Sequence, residues 1–85
     1  MTNQVNRLQL KASLLSAITF HKFGQQLAPN FKTVKSQICA SAGQKPNIKN
    51  IDFIRLIGLI YKDNNLESEF YNIVCKFKID KEVYN

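Results

Sequence analysis

Ile51-Asp52-Phe53-Ile54-Arg55-Leu56-Ile57-Gly58-Leu59-Ile60-Tyr61 is the stretch on which the fold turns. Its β-branched residues suit a strand, while its apolar positions also cover almost every side of a helix. Length separates the two readings. Eleven residues exceed the usual strand, and the segments on either side carry helical periodicity. Read as a helix apolar nearly all round, Ile51–Tyr61 belongs at the centre of an all-α fold, with Asn50 as its N-cap and Lys62-Asp63-Asn64-Asn65 as the turn that follows.

Working outward from this segment, Leu66 to about Phe77 forms a last amphipathic helix, with Leu66, Phe70, Ile73, Val74 and Phe77 inward and Glu67 and Glu69 at its positive end. From about Lys78 the tail is expected to be flexible, unless Val83 and Tyr84 dock on the core or on a second subunit. Toward the amino terminus, Val5, Leu8, Ala12, Leu15, Ile18 and Thr19 repeat at three and four, with Leu14 and Ala17 widening the stripe, so Gln4–Phe23 reads as a helix broken near Gly24. Pro29 interrupts any continuation. A new helix starts from Asn30, buries Phe31, Val34, Ile38 and Ala42, turns Lys32, Lys35, Ser36 and Cys39 to the opposite side, and ends at Gly43. Gln44–Asn50 contains Pro46 and reads as a loop, tacked to the core by Ile48.

The 85 residues fit a single domain, 1–85, and its nine aromatic residues within a 45% hydrophobic composition are those of a packed core. Charge is distributed unevenly. Residues 1–51 carry Arg7, Lys11, Lys22, Lys32, Lys35, Lys45 and Lys49 and no acid, which is +7; residues 52–85 carry five basic and six acidic side chains, which is −1. Such asymmetry points to a polyanion as partner for the first half.

Other function classes are disfavoured by what the chain lacks. The most apolar run is shorter than the roughly 20 residues of a membrane span and holds Asp52 and Arg55, and the amino terminus is polar, so a soluble cytoplasmic protein is expected. Cys39 and Cys75 with the single His21 have no metal-ligand spacing, so neither a metal nor any other cofactor is expected. Catalysis is disfavoured as well, since His21 has no acid near it in sequence and there is no glycine-rich phosphate loop. No small-molecule ligand is expected.

Leu27-Ala28, seven intervening residues, then Ser36-Gln37-Ile38 preceded by Lys35 resembles the helix-turn-helix of the lambda-repressor-like (Cro/repressor) family. Gly43, Pro46, Ile48, Ile51 and Ile54 are similar to the positions that lead into that family's fourth helix, and Phe23-Gly24-Gln25 to a segment of its Cro members. The likeness spans about residues 23–60. Pro29, Lys32 in place of the turn glycine, and a stretch from Ile38 to Gly43 one residue short depart from the pattern. The resemblance implies a compact four- to five-helix domain and a small sequence-preferring regulator of phage or plasmid type. It would place its recognition helix in the major groove of double-stranded DNA and act as a homodimer. Lys35, Ser36 and Gln37 would then face base edges, and Gln25, Lys32, Gln44, Lys45, Asn47 and Lys49 the phosphates. The ungapped match exposes Val34 at the start of that helix, whereas a cap at Asn30 buries it beside Ile38; the apolar spacing favours burial. Pairing is expected around Phe70, Phe77, Val83 and Tyr84. The alternative is a basic helical module, of inhibitor or immunity type, that meets an acidic protein instead of DNA.

Overall fold

A computed structural model describes residues 7–24 and 30–84 of the chain. The described residues form five helices and no strand: α1 (Arg7–Phe23), α2 (Phe31–Ser41), α3 (Asn50–Asp63), α4 (Glu67–Lys76) and the single turn α5 (Lys81–Tyr84). None is long and apolar enough to cross a membrane.

The Ile51–Tyr61 segment is indeed helical, within α3, and α3 is the hub against which α1, α4 and α5 pack. Phe53, Ile54, Ile57 and Tyr61 are buried along one face. The helix is not enclosed on all sides, however: Ile51 and Leu59 are exposed. Asn50 is the first helical residue rather than a cap. Its side-chain amide Nδ2 crosses to α1 and donates to the Ala17 carbonyl at 2.8 Å, which fixes the start of α3 against the middle of α1.

In α1 the inward face is Leu10, Leu14, Ala17 and Ile18, with Ser13 and Ser16 buried among them. Of the expected stripe, Leu14, Ala17, Ile18 and Thr19 are buried, and its amino-terminal part departs. Leu8 and Ala12 are exposed and Leu15 is half-buried, while Val5 lies outside the described residues. Two serines inside the face conceal it from a count of apolar positions, and their small side chains line the crevice where α2 comes close through Phe31 and Val34. Thr19 hydrogen-bonds back to the Leu15 carbonyl at 2.8 Å, the usual way a helical threonine satisfies its hydroxyl.

α2 begins as the Asn30 register has it, with Phe31 and Ile38 buried and Val34 packed against the core. Two residues depart from that stripe. Cys39 is fully buried instead of outward, and Ala42 is exposed instead of inward, because α2 ends at Ser41 and Ala42 already belongs to its C-cap. Phe31 meets Phe53 of α3 edge to face, ring centroids 5.8 Å apart.

Three successive helices end in the same hydrogen-bonded turn. Gly43, Asn65 and Lys78 adopt φ of 72°, 60° and 55°. At each, the next residue's N–H reaches five residues back: Gln44 to Cys39, Leu66 to Tyr61, and Ile79 to Val74, at 2.8, 2.8 and 2.9 Å. This is the Schellman arrangement, in which a hydrophobic residue just past the helix packs beneath its last turn. Leu66 and Ile79 fill that role. The last turn sends the chain after Lys78 back across the core, so the expectation of a flexible tail is corrected: Ile79 and Val83 are buried, and Arg55 donates from Nε to the Val83 carbonyl at 2.9 Å and from Nη2 to the Glu82 carbonyl at 2.6 Å.

Candidate nucleic-acid interface

α2 and the loop to α3 present most of the cations of the acid-free half. Lys32, Ser36, Gln37, Gln44, Lys45, Asn47 and Lys49 are exposed, Lys35 is half-buried, and Gln25 lies outside the described residues, as do Leu27, Ala28 and Pro29. Lys32, Lys35, Ser36 and Asn47 converge on one cleft of about 420 Å³, closed by Phe20 from α1, Phe31, Pro46 and Asn50. Gln44, Lys45 and Lys49 lie outside its walls.

Lys35 is held rather than free. Its Nζ donates to the Ile48 carbonyl at 2.8 Å and lies 5.5 Å from the centre of the Phe53 ring, so the ammonium is fixed at the cleft by a loop carbonyl and an aromatic face. That bond also explains how Ile48, itself packed on the core, ties the loop down. Two of the three ammonium protons remain for a ligand. Lys35 in turn acts on the Cys39 thiol, whose pKa burial pushes above its ordinary value while the nearby ammonium pulls the other way.

Gln37 does not join this cluster. Its Oε1 accepts a hydrogen bond from Gln9 Nε2 of α1 at 3.0 Å, and its carbonyl accepts from the Ser41 hydroxyl at 3.0 Å, so the side chain links two helices at an exposed position. The aromatic member, Phe20, went unremarked in the sequence. Its signal was positional: Phe20 and Phe23 fall off the inner stripe of α1, and both are exposed.

The expected pairing surface is also largely spent inside the subunit. Phe70 and Val83 are buried, and Phe77 and Tyr84 are half-buried against the core. Phe70 sits within a cage of rings, 5.8 Å from Tyr61 and 5.7 Å from both Tyr71 and Tyr84. Each of these side chains is therefore a core or near-core element before it is an interface.

Electrostatics set the α2 face apart from the rest of the surface. Among the described residues the ion pairs are Arg7 with Glu69 and Arg55 with Asp52. Both use arginines, and Lys32, Lys35, Lys45 and Lys49 have no carboxylate partner there. All six acids of the chain lie at or beyond Asp52, on α3, α4, α5 and their connections. No three described His, Cys, Asp or Glu side chains are grouped to hold a metal ion, and both cysteines are free. No family model, curated protein or solved structure matches the chain.

Proposed function

We propose that this protein binds double-stranded DNA through α2 and the loop that follows, as a small sequence-preferring regulator of phage or plasmid type. The observation that carries the reading is that the four lysines of α2 and the loop after it have no carboxylate partner among the described residues. Unpaired surface cations gain most from a phosphate backbone, where each one that replaces a condensed counterion releases it to solution. α2 offers a short helix whose outer side, with Lys32 and Ser36, is open for groove contact, and the loop supplies Lys45 and Lys49 as flanking phosphate contacts. Base readout would rest on Lys35 and Ser36, since Gln37 is engaged with α1. So few reading residues favour action as a homodimer on two half-sites.

Fluorescence anisotropy with a duplex pool across a salt series tests this. The phosphate contacts of Lys32, Lys45 and Lys49 give a slope of about −2.7 per monomer in log affinity against log salt, and removing one of these lysines lowers its magnitude by about one. K45E and K32E are expected to weaken binding and flatten the slope. Selection of bound duplexes from a random pool would show the preferred sequence, and a palindromic result the two-fold pairing. Absence of duplex binding at low salt would overturn the reading and leave an acidic protein as the partner of this face.

A further inference from the structure

The cleft beside α2 contains more than phosphate binding requires. Phe20, which lines it, is 42% exposed, and Phe31 and Pro46 add further apolar wall. Lys32 and Lys35 stand on the same cleft. A bare anion gains nothing from an exposed phenyl ring, and a purely apolar partner gains nothing from two ammonium groups. A second copy of this face would bring like charges together. A planar heteroaromatic ring attached to a phosphate satisfies both halves of the site.

We propose that this cleft takes one unstacked nucleobase of a DNA strand, stacked against Phe20, with the adjoining phosphate on Lys32 and Lys35. The proposal rests on the DNA-binding reading and adds to it a preference for a base outside the helix. Stacking is tolerant of base identity because every base has a π face. Ser36 and Asn47 bring a hydroxyl and a carboxamide, able to donate and accept, to the base edge. Lys35 is already positioned by the Ile48 carbonyl and the Phe53 ring, so ordering it costs the complex little. A base within intact duplex is covered on both faces by its neighbours, so it reaches such a cleft only where it is unpaired, as at a bulge, a mismatch or a single-stranded stretch.

The test compares a short, fully paired duplex with the same duplex carrying one extra 2-aminopurine as a bulge. Wild-type protein is expected to bind the bulged duplex roughly 5- to 150-fold more tightly, the range a single stacked base supplies, and to change the probe's emission on binding. F20W keeps the preference; F20L, which retains apolar bulk at a half-exposed position without the π face, removes the difference in affinity between the two duplexes. Equal affinity for the two duplexes, or a preference that survives F20L, overturns this proposal while the duplex reading stands. Failure to bind either duplex overturns both.

Discussion

Gly58 lies in the middle of α3, where helix propensity alone makes alanine better by about 1 kcal/mol. The tertiary structure reverses that sign. A Cβ at position 58 would lie 2.8 Å from Phe70 Cζ, 3.0 Å from Cε2 and 3.3 Å from Cε1. Restoring an ordinary carbon–carbon separation of about 3.5–4.0 Å requires the ring to retreat by roughly 1 Å. Phe70 is buried, and Tyr61, Tyr71 and Tyr84 stand around it with ring centroids 5.7–5.8 Å away, so its retreat displaces a set of rings rather than one side chain. Overpacking of this kind costs about 1–3 kcal/mol, which exceeds the propensity gain. G58A is therefore expected to lose about 1 kcal/mol net in urea unfolding, seen as a lower midpoint at unchanged slope. The cycle with F70L isolates the cause. With the shorter leucine at 70, the G58A change should cost nothing or become stabilising, giving a coupling of 1 kcal/mol or more. An unchanged or raised midpoint in G58A alone would refute the argument, because it would show that α4 is free to move away from α3.

Lys78 holds a left-handed conformation without glycine's freedom, so K78G is expected to raise stability by about 0.5–1 kcal/mol in the same assay; a loss would mean that its side chain contributes more than its backbone strain costs. A chain ending at Lys78 removes buried Ile79 and Val83 and the carbonyl acceptors of Arg55, and should lose at least about 3 kcal/mol; stability equal to that of the full chain would restore the flexible-tail reading. At alkaline pH, Cys39 keeps its proton in the fold, chiefly through burial and against the pull of Lys35, while the unfolded thiol ionises around its ordinary 9.0. Stability from this group is thus complete below that value and falls as pH rises through the folded pKa. Tyr61, raised by burial and by Glu69 against the pull of Arg7, adds the same trend above its ordinary 10.0. Urea midpoints followed from about pH 8 to 10 should fall less steeply in C39A than in wild type, and identical slopes would contradict the assignment.

Elements were legible in this sequence where local chemistry alone decides them. Helix at Ile51–Tyr61 followed from length and neighbours, and the end of α2 from Gly43, whose φ of 72° few other residues adopt without cost. Asn65 and Lys78 make the same turn with no glycine to mark it, so the return of the chain after Lys78 was signalled only by the apolar Val83 and Tyr84. It is specified by contacts remote in sequence, Val83 against the core and Arg55 on the carbonyls of α5. The amino-terminal part of the α1 face differs from its apolar spacing for a related reason. Serines at 13 and 16 are buried because α2 packs close above them, and a hydrophobic period cannot distinguish a small residue at a helix crossing from a polar residue at the surface.

The candidate site divides along the same line. The acid-free run of residues 1–51 is a property of composition, and it survives folding as the cationic face of α2 and its loop because no acidic element of the second half supplies those lysines with an ion-pair partner. Which of those residues act together is a matter of geometry. Ser36 and Gln37 are neighbours in sequence, yet successive residues of a helix point about 100° apart, so one lines the cleft and the other binds Gln9. Phe20, sixteen positions from Ser36, shares the cleft with it because Asn50 fastens the start of α3 to α1 at Ala17, one turn before Phe20, and brings the preceding loop with its Asn47 to that end of the helix. The lysines could therefore be named from the chain, but the aromatic ring beside them required the packing of α1, α2 and α3.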